Sequence, residues 1–151
     1  MKPEVSTVLA AVSGLISREV APALGDTYLS EQLLRSAALL GAVGEEFDRA
    51  AARRVQENQA LRRIFGQAAA LVRPREPDLA TALAGAADGS DLDDLRVSRL
   101  DADNHHLRAL LIRLQAWAEA EPTPAAQVLL AAIWTELRDS TERRMLSMSR
   151  L

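Results

Sequence analysis

From Tyr28 to Val72 the chain runs without a proline. That stretch is rich in alanine, leucine, glutamate and arginine, all strong helix formers. Helix-stopping residues bound it on both sides, Pro22 and Gly25 before it and Pro74 and Pro77 after it. It predicts a second helix far longer than its neighbours, opening at Asp26 or Thr27, either of which is a suitable cap. Glu31 to Arg35 and Glu45 to Arg49 stand four residues apart in the favourable order. Leu33, Ala37, Leu40, Gly44, Phe47, Ala51, Val55, Asn58, Leu61 and Phe65 form one seam along it. Gly41 and Gly44 each weaken a helix by about 1 kcal/mol relative to alanine, so they mark either a kink or a close helix approach. The pattern fits one long helix or two collinear ones.

Three shorter helices accompany it. The first covers about 3–20, with Pro3 at its first turn and Val5, Val8, Leu9, Val12, Leu15, Ile16 and Val20 as its apolar stripe. The third begins near Ser90–Asp91, where Asp91, Asp93 and Asp94 suit the positive end of a helix dipole. It carries Leu92, Leu95, Leu100, Asn104, Leu107, Leu111 and Leu114, reaches Trp117 and is broken by Pro122. The fourth opens with Thr123 as cap and Pro124 in first position. Val128, Leu129, Ala132, Ile133 and Leu137 line it, an Asp139–Arg143 pair follows, and Met145 and Met148 pack at its end. Residues 73–90 form the one long interruption, a flap-like or flexible connection in which Asp78 caps a short helix over Leu79–Ala86. β-branched residues are sparse and no alternating strand pattern occurs. The expected fold is all-α: an antiparallel bundle of four principal helices in a single domain over residues 1–151. A second helix of that length outruns an 18-residue partner. Its overhang exposes Val55, Leu61 and Phe65 unless the later helices or a second copy cover them, which points to a homodimer.

Composition narrows the function classes. There is no cysteine, so disulfides and thiolate metal sites are excluded. The net charge is −3, which disfavours a nucleic-acid partner. Lys2 is the sole lysine, so nearly all positive charge is arginine. No apolar run approaches the ~18 residues a membrane span needs, and the first residues lack a signal peptide's features, so no membrane partner and a cytoplasmic location are expected. No glycine-rich phosphate loop, nucleophile elbow or zinc signature is present, and no catalytic residue or cofactor is assigned. Glu45, Glu46 and Asp48 resemble half of an acidic helical pyrophosphatase motif, whose second half is missing.

Two asparagines stand out because both lie on apolar stripes. Asn58 lies between Val55 and Leu61, and Asn104 between Leu100 and Leu107. Their surroundings repeat: Glu57-Asn58-Gln59-Ala60-Leu61-Arg62 and Asp103-Asn104-His105-His106-Leu107-Arg108. A buried amide without partners costs a few kcal/mol, so two asparagines on facing helices are expected to satisfy each other. The pair either fixes register, as in coiled coils, or belongs to a ligand pocket of Asn58, Arg62, Asn104, His106 and Arg108. Asp103 and His106 stand at the spacing of half a bundle metal site, but the second half is absent and no metal is assigned. Arg49, Arg53, Arg54, Arg62, Arg63, Arg73 and Arg75 crowd the later part of the long helix, as a solvated surface or as a holder for an anion.

The segments Leu9-Ala10-Ala11-Val12, Arg18-Glu19-Val20-Ala21-Pro22-Ala23-Leu24 and Arg35-Ser36-Ala37-Ala38-Leu39-Leu40-Gly41-Ala42-Val43 resemble the DUF6285 type of small helical bacterial proteins. The resemblance covers residues 8–48. Ser36 and Leu39 occupy a region where that family tends to carry an asparagine. The family has no established activity and is often encoded beside acyl-CoA dehydrogenases, so the resemblance implies an accessory role with a protein partner in acyl-CoA metabolism.

Overall fold

The computed structural model describes residues 4–90 and 93–147, and all regular structure among them is helical. Pro3, Asp91, Leu92 and Met148, named above, lie outside the described residues. Helix α1 covers Val5–Leu15 and continues through a wider π turn at Ile16–Val20 into a last turn at Ala21–Ala23. The widening directly precedes Pro22, whose ring in a regular helix clashes with the carbonyl four residues back. Helix α2 is continuous over Thr27–Val72, so the glycines introduce no break, and Asp26 caps it by accepting the Leu29 N–H at 3.1 Å. Helices α3 (Pro77–Ala87), α4 (Val97–Ala120) and α5 (Pro124–Arg144) follow. No helix among the described residues is long and apolar enough to cross a membrane. The chain divides into two compact units, one comprising residues up to Ala50 and from Met145 onward, the other Ala51–Arg144. Helix α2 contributes its first half to one and its second half to the other.

In the first unit α1 lies antiparallel to the first half of α2. Ser13 Oγ donates to the Ala37 carbonyl at 2.8 Å and Ser30 Oγ to the Ala21 carbonyl at 2.9 Å. Gly44 is buried and faces Leu9. Most of the expected α1 stripe does not make this contact: Val5, Val8, Val12, Leu15 and Val20 are exposed, and only Leu9 and Ile16 of it are half-buried. The contact face is turned away from the exposed residues and is formed by Leu9, Ser13, Ile16 and the buried Ala21. Small and hydroxylated residues bring the backbones close, and Ser13 and Ser30 add hydrogen bonds that valines lack. Phe47, expected in the α2 seam, is likewise exposed.

The second unit holds the main core. Leu61, Ile64, Phe65, Ala68 and Val72 of α2 meet Leu79, Ala80 and Leu83 of α3, Leu107, Leu110, Leu111, Leu114 and Ala118 of α4, and Leu129 and Ile133 of α5. Leu61 and Phe65 are therefore covered, with Val55 half-buried. Helix α3 begins at Pro77, so Asp78 sits within its first turn and not at its cap. Its buried Leu79, Ala80 and Leu83 make the middle of the 73–90 connection part of the core. Helix α4 begins at Val97, later than the aspartates suggested. Asp94 accepts the Arg96 N–H at 3.1 Å and pairs with its guanidinium, which holds the Asp94 carboxyl down at about 2. That local turn competes with helix and leaves Leu95 exposed ahead of it. Thr123 caps α5 as expected, accepting the Ala126 N–H at 3.2 Å, but Val128 of the expected stripe is exposed.

Arg54 meets Asp101, Asn58 meets Asn104 and Arg75 meets Glu121, so α2 and α4 run side by side in the same direction. Their register offset is 46 residues at the asparagines, the offset of the repeated hexamers. The buried Leu61, Ile64, Phe65, Ala68 and Val72 stand opposite the buried Leu107, Leu110, Leu111, Leu114 and Ala118 at that same offset.

Truncating a fully buried leucine leaves a cavity, so Leu83→Ala is expected to lower unfolding free energy by about 3 kcal/mol in urea denaturation. Val128→Ala, at an exposed position, is expected to change it by less than ~0.5 kcal/mol. Equal effects would refute a core that includes α3.

Candidate functional site

Where α2, α4 and α5 meet, a polar cluster interrupts the apolar core. The long α2 carries Glu57 and Asn58, α4 carries Asn104 and Arg108, and the C-terminal end of α5 supplies Ser140 and Arg144. Glu57 is 1% exposed, Asn58 0% and Asn104 5%, so each must have its polar atoms met inside the protein.

The asparagines meet as expected: Asn104 Nδ2 donates to Asn58 Oδ1 at 2.8 Å. Neither amide stops there. Asn58 Nδ2 donates to the Leu100 carbonyl at 3.2 Å, and Asn104 Oδ1 accepts from Arg108 Nε at 2.9 Å. Arg108 also donates through Nη2 to Ser140 Oγ at 3.1 Å and lies 3.4 Å from Glu57 Oε2. Glu57 receives Arg144 Nε on Oε1 at 2.9 Å and Arg144 Nη2 on Oε2 at 2.6 Å, a bidentate pair. Burial works against the Glu57 charge most strongly, yet the bonds and charges of Arg144 and Arg108 outweigh it and hold the carboxyl below its ordinary value.

Of the five residues expected to share a pocket, Asn58, Asn104 and Arg108 are brought together. Arg62 instead donates through Nη1 to the Ala86 carbonyl at the end of α3, at 2.5 Å. A Cβ at Gly89 would run into this guanidinium, so the glycine leaves room for it. His106 is exposed, because residues 104, 107 and 111 turn α4's buried face elsewhere. Asp103, its expected companion in half a metal site, pairs with Arg99 at 3.2 Å. Among the described residues no group of three or more histidine, aspartate or glutamate side chains is placed to hold a metal ion.

Glu57 is the residue that pattern reading missed. As the acid ahead of Asn58 it reads as part of a solvated face. The available signal was its spacing from Ala50, Arg54, Leu61 and Ile64, which places it on the face that becomes the core. Arg144 sits where the α5 pattern fades and carried no signal of its own.

Outside the core of this cluster, Arg54 Nε donates to Asp101 Oδ1 at 2.9 Å and lowers its pKa. A recess of about 290 Å³ opens beside it, lined by Arg53, Arg54, Glu57, Asp101, Asn104 and Arg144. Across the same unit, Glu136 is buried and meets Arg143. There burial prevails and pushes the carboxyl above its ordinary value.

The two glutamates give opposite pH dependence. A lowered native pKa means Glu57 contributes its full stability above the ordinary 4.5 and loses it as pH falls below that value. Glu57→Gln is expected to cost on the order of 2 kcal/mol at pH ~7, because it strips the counter-charge from the partly exposed Arg108 and Arg144 and breaks their charged hydrogen bonds. The gap between wild type and variant is expected to narrow steadily as pH falls below 4.5 in parallel urea titrations. A gap independent of pH would show that Glu57 carries no charge in the folded protein.

No protein-family model matches this chain, and neither a curated protein nor a solved structure matches it.

Proposed function

We propose that this chain is a non-enzymatic interaction protein that works as a homodimer, joined through the α1–α2 pair. One observation carries the reading: both helices turn apolar side chains to solvent on the same side. Val5, Val8 and Val12 of α1 and Leu39, Val43 and Phe47 of α2 are between 41% and 67% exposed. At 100° per residue, the α1 stripe lies roughly 75° and the α2 stripe roughly 110° from its helix's contact face, both in the same sense. In an antiparallel pair that rotation brings the two stripes to one side. The rungs Val5–Phe47, Val8–Val43 and Val12–Leu39 follow from the Leu9–Gly44 and Ser13–Ala37 register. On the opposite side Ser6, Ala10, Glu45 and Asp48 line a cleft.

A two-helix layer with one apolar side needs a second layer against it. An identical copy related by a two-fold axis supplies the same apolar rungs and completes an antiparallel bundle of four helices from two chains. This assembly differs from the expected bundle of four principal helices within one chain, since each copy contributes two. The likeness of residues 8–48 to the DUF6285 type falls on this same pair, and we place the dimer as an accessory component beside acyl-CoA-metabolising enzymes. The small-ligand reading centred on Asn58 and Asn104 is disfavoured, because their amide groups are engaged by one another, Leu100 and Arg108.

Sedimentation velocity across a concentration series tests the assembly. Wild type is expected to sediment as a dimer, and V43E/F47E as a monomer of unchanged helicity, with a dissociation constant raised at least about tenfold. A wild-type monomer at concentrations up to ~100 μM would refute the reading. So would a dimer that V43E/F47E leaves intact.

A further inference from the structure

Where α2 gives way to α3 and α4 to α5, a second recess opens in the same unit. Leu71, Pro74, Arg75, Trp117, Glu121 and Thr123 line it, and its volume is about 140 Å³. We propose that it binds a small apolar molecule, one aromatic ring in size, that carries a single uncharged hydrogen-bond donor.

An unmet acceptor calls for the donor. Glu121, at the C-terminal end of α4, is only 6% exposed. Its Oε2 takes the Arg75 guanidinium at 2.7 Å. Its Oε1 is buried and has no hydrogen-bond partner among the described residues. A buried carboxylate oxygen without a donor is costly, so an N–H or O–H brought to it by a ligand is stabilising. Trp117 and Glu121 stand four residues apart on α4, which puts indole and carboxyl on one wall of the recess.

Size and lining specify the body. Leu71, Pro74 and Trp117 are apolar, and the indole offers a face or edge for a second ring. An apolar cavity of about 150 Å³ admits benzene, so this recess is of the right order for one ring. Charge specifies the donor. Arg75 already balances Glu121, and an ammonium ligand would set a second cation against one carboxylate while losing its own water. A hydroxyl or an uncharged N–H reaches Oε1 with no charge to desolvate. The dimer face uses none of these residues, so either proposal can fail alone.

Phenol, toluene and benzylamine, titrated separately into the isotope-labelled full chain at neutral pH, test this by proton–nitrogen NMR of the Trp117 indole N–H. Phenol and toluene match in size and differ in the donor, and benzylamine presents its donor as a cation. Trp134, the other of the two tryptophans, does not line the recess and serves as internal reference. Phenol is expected to shift Trp117 saturably, with an affinity at least about tenfold above that of toluene or benzylamine. Glu121→Met removes the acceptor, and Arg75, whose side chain is 67% exposed, then turns to water. In that variant phenol and toluene are expected to bind within about a factor of two of each other. Absence of a saturable Trp117 shift with phenol overturns the proposal and leaves Oε1 to water. Toluene or benzylamine binding as tightly as phenol overturns it too, as does an E121M protein that keeps the preference for phenol. Should E121M not fold, the wild-type ranking of the three compounds decides.

Discussion

Glu57 is the position on which the second unit depends. A carboxylate at 1% exposure persists as an anion only where several donors converge on it, and those donors come from far apart in the chain. Arg144 arrives from the last residue of α5, 87 residues away, and Arg108 from the middle of α4. For Arg144 to reach, α5 must remain helical to its end and return along α2. For Arg108 to reach, α4 must lie beside α2 in one register. Apolar packing among alanines and leucines sets no such register, because small similar side chains slide past one another at little cost. The charged and amide groups impose it: a shift by one turn strands Glu57 and separates the asparagines.

The parallel arrangement of α2 and α4 gives the hexamer repeat its meaning. At an offset of 46 the two asparagines touch, and five buried apolar positions on one helix face five on the other. Each repeat's arginine reaches the helix that follows its own, Arg62 to the end of α3 and Arg108 to Ser140 of α5. The second unit is thus two similar helical hairpins laid together. They differ in closure: Arg62 finds a carbonyl, whereas Arg108 joins the charged cluster.

Much of this was legible in the chain itself. Proline placement and composition gave the long helix, and Asp26 and Thr123 cap helices where short polar residues precede apolar periodicity. The asparagine pair was legible because amides on an apolar stripe demand partners. The α1 stripe was misread in part for a physical reason: the hydrogen bonds of Ser13 and Ser30 tie down a face that shares Leu9 and Ile16 with the stripe but leaves its valines exposed. Helix α3 was underestimated because two glycines and flanking prolines mask an 11-residue segment whose Leu79 and Leu83 lie one turn apart. The roles of Glu57 and Arg144 could not be read, since a surface salt bridge and a buried one share a spelling until the helices that enclose them are placed.

Side-by-side helices locked through single amides behave as a phase-matched pair. One residue added within α2 between Arg54 and Asn58 turns everything beyond it by about 100° relative to what precedes it. The stretch from Arg54 to Leu61 therefore admits no change of length, because Arg54 and Asn58 must both keep their partners on α4. Natural variants of this fold would keep that stretch gap-free.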